Sequence, residues 1–402
     1  MKIRTIQAEA PQEGALWPAV RGYLAGYDWL QIAAMLFLLG VGLTFIWSTD
    51  QQSGNSFFQR QIRWIVMGTS LWVMAAGINY RQWLPISGLG YLRALGALMV
   101  VLLFGVEVNG AVNWFEIKPL GLRLQPSEFA KPVVIVALAA LLSNHLFHIN
   151  KFTHFLLFGV VFAVPFLLIA KEDIGTAAVL VPVAAGMVFV SELRWRTIIA
   201  IVVTLVVLVG GVVANEMLSI KPILPELKKY QRERILIFLD PERDPTNYGY
   251  NQHQSRLAVG SGGLWGKGVG RGTQNVLGFL PRTVSNNDFI FSVVAEEIGF
   301  AGVMALIAAQ LLLIYSILRT AYLTPDPFGR YIGVGVAMVF ITHGFINMGM
   351  SIGLTPVTGI PLPFISYGGS FTMAGMASLG LVQSIYSNGL REEKILADLG
   401  VP

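Results

Sequence analysis

The feature that most constrains this chain is a succession of long, unbroken apolar runs. They lie near Leu30–Ser48, Ile62–Tyr80, Leu89–Glu107, Pro126–Phe147, Thr153–Ala170, Ile174–Ser191, Thr197–Leu218, Asp288–Ile317, Tyr331–Gly353 and Ile365–Asn388. A helix needs roughly 20 mostly apolar residues to cross a bilayer. Backbone groups in lipid must be satisfied internally, so only helices or closed barrels span it. Continuous apolar runs exclude the alternating pattern of barrel strands. Charge content agrees: Asp, Glu, Lys and Arg make up 13% of the chain, about half the roughly 25% of soluble proteins. The expected fold is an all-α polytopic membrane protein with about ten transmembrane helices and a large extracytoplasmic loop between helices seven and eight.

The organisation follows from the same pattern. Residues 1–28 are polar, without the short apolar core of a cleavable leader, and read as a cytoplasmic extension. The transmembrane domain is expected over 29–390, with the loop at 219–287 inside it and a cytoplasmic tail at 391–402. Cys is absent, which excludes disulfides, thiolate metal sites and Cys nucleophiles.

An even number of spans puts both termini on one side. If that side is the cytoplasm, its Lys and Arg are Lys2, Arg4, Arg21, Arg81, Arg93, Lys151, Arg194, Arg196, Arg319, Arg330, Arg391 and Lys394, twelve in all. The short outer loops hold five: Arg60, Arg63, Lys118, Arg123 and Lys171. This bias follows the positive-inside rule and predicts a multi-pass protein of the cytoplasmic membrane with both ends inside. The long loop has ten Lys/Arg and five acids. It reads either as an ordinary solvated loop or as a positive funnel for an anionic substrate. Within it, Glu226 to Leu239 has the spacing of an amphipathic helix on the bilayer surface.

The run GSGGLWGKGVGRGTQ, Gly260 to Gln274, is not a Walker loop, because Lys267 is followed by Gly268 rather than Ser or Thr. It reads as a flexible loop, or as backbone that approaches a bulky ligand closely, with Lys267 and Arg271 donating to phosphate. Five His include the pair His145 and His148, read as interfacial. The spacing supports neither a metal site nor a Ser-His-Asp arrangement.

Charges inside apolar spans are costly unless paired or wet. Glu128 and Lys131 are three apart and share a helix face. They read as a structural ion pair or as the lining of a hydrophilic cavity. Asp288 stands where the long loop enters the eighth span, as an N-cap or as a base at the rim of the site. Glu296 and Glu297 follow about two turns later and require a buried partner. Three Pro and three Gly between Thr355 and Ser370 break the last apolar region, which lipid tolerates only where protein covers the backbone.

Several strings resemble the SEDS family of polytopic membrane proteins, its RodA branch more than its division-specific FtsW branch. They are QPSEFAK (Gln125 to Lys131), DIGTAAVL (Asp173 to Leu180), FLDPERDP (Phe238 to Pro245), GSGGLWGKGVGRGTQ, FLPRTVSNNDFIFSVVAEEIGFAG (Phe279 to Gly302) and NMGMSIGLTPVTGIPLPFISYGGS (Asn347 to Ser370). The resemblance implies ten transmembrane helices. It implies polymerisation of lipid II into glycan strands at the outer face of the cytoplasmic membrane during elongation and shape maintenance. It also implies a class B penicillin-binding protein as crosslinking partner. The family's essential Asp falls on Asp288, its functional Trp on Trp114, and its carboxylate and Lys on Glu128 and Lys131. Asn113, Arg282, Asn286, Asn287 and Phe371 depart from the family's usual residues and leave open an atypical, non-polymerising paralogue.

The chemistry fits these residues. Lipid II carries its sugar on a pyrophosphate, so the leaving group needs cations or a divalent metal such as Mg or Mn. Lys131, Lys267 and Arg271 are the candidate cations, Asp288 the candidate base, and Trp114 a sugar-stacking or interfacial residue. One displacement inverts the anomeric centre and needs a single carboxylate. Membrane lipids are the other expected contact, and nothing points to nucleic acid. The competing class is a lipid II flippase, which needs a polar path through both leaflets. The intramembrane charges here cluster on one side.

Overall fold

In the computed structural model, residues 26–51, 57–108, 111–117, 122–197, 229–240 and 249–398 are described, with isolated positions between 199 and 246. The extension at 1–25 and most of the seventh expected span lie outside the described residues.

The helices are α1 (Trp29–Asp50), α2 (Phe57–Gly77), α3 (Trp83–Phe104), α4 (Pro126–Leu142), α5 (Phe152–Ala170), α6 (Ile174–Ala178), α7 (Leu180–Val190), α8 (Lys229–Leu239), α9 (Tyr250–Ser261), α10 (Thr273–Val276), α11 (Arg282–Ser285), α12 (Ile290–Leu323), α13 (Pro327–Ile352) and α14 (Gly369–Asp398). A short 3-10 turn, Tyr80–Gln82, precedes α3. Five stretches are long and apolar enough to cross a membrane: α1, Tyr80–Phe104, α5, α12 and α13. Outward-facing Leu89, Leu92, Leu103 and Phe104 on α3 are exposed, as expected where the surrounding solvent is lipid.

Local signals set the helix starts. Asp28 accepts from the N–H groups of Leu30 and Gln31 and caps α1. Asp326 caps α13, with Pro327 in the first turn, where its missing N–H costs nothing. Gly353 ends α13 in the left-handed region at φ 85°.

The sixth span is observed from the Asp173 cap through α6 and α7 to Val190, and Val179 between them keeps helical backbone at φ −62°, ψ −32°. The structure differs from the sequence expectations in two places. The last span starts at Gly369 rather than Ile365, since the Pro-rich segment before it is not helical, and it continues to Asp398. The connection around Trp114 is a small antiparallel sheet in the order β1-β2-β3: β1 (Val106–Val108), β2 (Ala111–Ile117) and β3 (Leu122–Leu124). Trp114 pairs with Val106, and Glu116 with Arg123, whose charges lie 3.6 Å apart. Of the helix expected over Glu226–Leu239, Lys229–Leu239 is observed as α8, and residues 226–228 lie outside the described residues.

One end of the bundle gathers the start of α4, the start of α12, the end of α13 and the start of α14. There Gln125 N–H donates to Ser370 Oγ at 2.8 Å, and Asn347 Nδ2 donates to the Asp288 carbonyl at 2.9 Å. At the opposite end, Ser316 Oγ donates to Asp28 Oδ2 at 2.6 Å and Tyr80 Oη to Asp326 Oδ2 at 2.9 Å. Between them lies one apolar core that includes Leu38, Ile135, Leu138, Met187, Ile290 and Phe340. Helices α2 and α14 run against each other so closely that a Cβ on Gly380 would collide with the Trp72 carbonyl. Such small-residue contact drives packing where lipid supplies no hydrophobic force.

Candidate active site

Asp288 is not a helix cap. The N-cap of α12 is Phe289, and no side chain caps that helix. The Asp288 carboxylate is half-buried, and its Oδ1 is out of solvent without a hydrogen-bond partner among the described residues. Buried polar atoms are nearly always partnered, so an orphan carboxylate oxygen marks a site of chemistry or ligand contact. Its position is held from the backbone. Asn347 ties the Asp288 carbonyl to α13, and Ser366 Oγ donates to the Asn287 carbonyl at 2.6 Å. Tyr367 N–H donates to the Asn286 carbonyl at 2.8 Å. The Pro-rich segment between α13 and α14 thus clamps the residues that lead into α12.

Arg234 and Asp173 lie within electrostatic reach of Asp288. Neither is singled out by the sequence. Arg234 sits on α8, where only the amphipathic spacing points to a helix. Asp173 opens α6, where its carboxylate accepts from Thr176 N–H and Oγ1. Asp173 also lines a small, partly open recess with Leu98, Val112, Asn113, Ser127 and Glu172. Asn113 Oδ1 and Ser127 Oγ in that lining have no partner among the described residues. Trp114 is half-buried, one residue along β2, and is not part of the lining.

Glu128 and Lys131 are both buried, with Nζ 2.8 Å from Glu128 Oε2. Their spacing by three on α4 sets this contact, and Glu128 in the first turn also meets the positive end of the helix dipole. The sequence does not reveal the third member. His343 Nε2 lies 3.0 Å from Lys131 Nζ, and the imidazole stacks on Phe371 at 4.3 Å.

The glycine-rich loop is bound through its backbone to α12. Gly299 interrupts α12 at φ 66°, ψ −170°, a conformation available essentially only to glycine. The break frees the carbonyls of Glu296 and Glu297 and the N–H groups of Phe300 and Ala301 from their helical partners. The loop accepts the exchange. Lys267 and Gly268 N–H donate to the Glu296 and Glu297 carbonyls at 3.0 and 2.9 Å. Phe300 and Ala301 N–H donate to the Gly263 and Leu264 carbonyls at 2.9 and 3.0 Å. The close backbone approach expected from the glycines is real, but its object is α12.

The two buried acids find their partners in the same region. Lys267 Nζ lies 2.7 Å from Glu296 Oε1, and Gln274 N–H donates to both Glu296 oxygens. Ser48 Oγ donates to Glu297 at 2.6 Å, and Gly270 N–H does so at 2.9 Å. Lys267 is therefore engaged, whereas Arg271 is exposed. Among the described residues, no group of three or more His, Asp or Glu is arranged to hold a metal ion.

Comparison with known proteins agrees with this architecture. The family model for FtsW, RodA and SpoVE, described as cell cycle protein, matches residues 28–389. The peptidoglycan glycosyltransferase MrdB of Escherichia coli K12 is 34% identical over 384 residues, covering 94% of this chain and 97% of the relative. A probable peptidoglycan glycosyltransferase FtsW of Geobacter metallireducens is 33% identical over 370 residues, covering 89% and 94%. A chain from a peptidoglycan synthase complex that coordinates polymerization and crosslinking superposes with a TM-score of 0.75 at 29% identity, covering 90% of this chain and 98% of that one. Rod shape determining protein RodA of Thermus thermophilus gives 0.65 at 26% identity, covering 90% and 96%. With a match that runs through nearly every helix and includes the clamp around Asp288, the chain belongs to the FtsW/RodA/SpoVE family of polytopic membrane proteins.

Proposed function

We propose that this protein is a peptidoglycan glycosyltransferase that polymerises lipid II at the outer face of the cytoplasmic membrane during elongation. The observation that carries the reading is the orphan oxygen of Asp288, held at the mouth of α12 by a fixed backbone. The acceptor sugar's 4-hydroxyl oxygen attacks the donor's anomeric carbon. As the new bond forms, the carbon–oxygen bond to pyrophosphate breaks, and the undecaprenyl pyrophosphate leaves with its electron pair. The hydroxyl proton passes to Asp288 as general base. One displacement inverts the anomeric centre.

Developing negative charge on the leaving group requires cations. Arg271 is exposed and suits that role. Lys131 and Lys267 are already ion-paired with acids. A divalent cation such as Mg or Mn would come bound to the pyrophosphate itself, because no group of three or more His, Asp or Glu among the described residues is arranged to hold one. The charge bias of the short loops supports cytoplasmic termini, and the likeness to a synthase complex supports a class B penicillin-binding protein as partner.

The test is direct. Purified protein, alone and with a class B penicillin-binding protein, is incubated with lipid II, and glycan length is read on a gel. Polymer from the wild type and none from Asp288→Asn supports the reading. Lipid II transport across vesicles without any polymer would replace it with the flippase reading.

A further inference from the structure

Lys131 is 2% exposed, yet its ammonium has protons to place. Glu128 Oε2 lies 2.8 Å away and His343 Nε2 3.0 Å away. The Phe371 ring centre is 5.4 Å from Nζ, within cation–π range. An ammonium only donates, so His343 Nε2 accepts. His343 Nδ1 lies 3.1 Å from the Pro361 carbonyl, which only accepts, so Nδ1 carries the proton. The imidazole is thereby fixed as its Nδ1–H tautomer, 1% exposed, with Phe371 stacked on it at an interplanar angle of 20°.

Pro361 belongs to the segment that passes Asp288. A Cβ built on Gly359 would sit 3.6 Å from Asp288 Oδ2, so the turn there is in direct reach of the carboxylate. Asn347, four residues after His343 and so on the same face of α13, donates Nδ2 to the Ile360 carbonyl at 2.7 Å. The same Nδ2 donates to the Asp288 carbonyl. Helix α13 therefore grips the segment at two consecutive carbonyls, Ile360 and Pro361. The first grip reaches Asp288 directly. The second is anchored through His343 and Lys131 to α4.

We propose that Glu128, Lys131 and His343 form a positioning relay for Asp288. The ion pair fixes the imidazole, the imidazole fixes Pro361, and Pro361 holds the Gly359 turn against the carboxylate. His343 is a positioning residue, and Lys131 serves geometry rather than the pyrophosphate. This inference rests on Asp288 acting as the base in the proposed polymerisation.

The experiment measures lipid II polymerisation kinetics on purified variants, with the melting temperature of each sample. His343→Leu removes the acceptor for Lys131 and is expected to lower kcat by about tenfold to a hundredfold. KM for lipid II changes by less than about threefold, because only the base is misplaced. His343→Gln keeps an acceptor for Lys131 and a donor for Pro361, and recovers most of kcat. If His343→Leu does not fold, the double variant Lys131→Met with His343→Leu removes the charge together with its acceptor and is expected to show the same loss of kcat. A readout independent of activity is nitrogen NMR of labelled histidine. His343 shows the Nδ1–H tautomer in wild type, and Lys131→Met shifts its signals. A wild type without polymerase activity overturns the functional reading itself. With an active wild type, a normal kcat in His343→Leu overturns the relay alone, as does an equal loss of kcat in the Leu and Gln variants that tracks a fall in melting temperature.

Discussion

Lys267 Nζ and Glu296 Oε1 are 2.7 Å apart, and Glu296 is completely buried. The pair joins the glycine-rich loop to α12 just before the Gly299 break. Ser261 Oγ and Thr273 Oγ1 also accept from Lys267 Nζ, at 2.8 and 3.1 Å. This lysine is tied into a structural knot. Lys267→Met leaves the Glu296 carboxylate short of a cation and is expected to destabilise the protein by about 1–3 kcal/mol. KM for lipid II should hold while the melting temperature falls. A raised KM at unchanged stability would return Lys267 to the substrate.

The Gly299 break is expected to be intolerant. A Cβ there would collide with Gly266 N, and the backbone region itself disfavours side chains by about 1–3 kcal/mol. Gly299→Ala should reduce membrane yield and melting temperature. Normal yield and stability would show that the loop and helix separate easily.

Asp288→Asn should fold as well as the wild type, because the carboxylate caps no helix and its Oδ1 has no partner among the described residues. Polymerisation should vanish, since an amide cannot accept the hydroxyl proton as base. Melting curves and glycan gels on the same preparation check both halves.

The buried pair Glu128–Lys131 should behave as a unit. Removing one partner leaves the other charge buried, at a cost of about 3–5 kcal/mol. Glu128→Gln and Lys131→Met are each expected to lower yield and activity, and the double variant to lose less stability than their sum. A double-mutant cycle on melting temperatures measures the coupling, and strict additivity would show that the two residues act separately.

Helices α12 and α13 carry small residues at close spacing, which serve packing inside the bundle or docking of a single-pass partner helix. Gly333, Gly335 and Ala337 are buried, with Gly333 against Ala321 and Gly335 against Ile135. They pack within the bundle. Ala305 is exposed on α12 with Met304, Leu311 and Leu312. Ala305→Leu is expected to weaken co-purification with a class B penicillin-binding protein before it lowers the melting temperature. Undiminished co-purification would move the partner to another face.

The long apolar runs reveal the solvent, the class of fold and the approximate position of most spans. Lipid forces the backbone to satisfy itself, and only long apolar helices do so at this length. Local chemistry was equally legible where neighbours in sequence are neighbours in space. Glu128 meets Lys131 one turn away, and the Pro-rich run before Gly369 breaks a helix. Tertiary structure decided which distant groups complete those fragments. Lys267 turns to Glu296, Ser48 reaches Glu297 across 249 residues, and His343 accepts from Lys131 across 212. Periodicity assigns a residue to a face of its own helix. It carries no information on which other element will lie against that face. The costs of buried charge and unpaired backbone act only once the helices have met, so the partners of Lys131 and the purpose of the glycines became visible only in the folded chain.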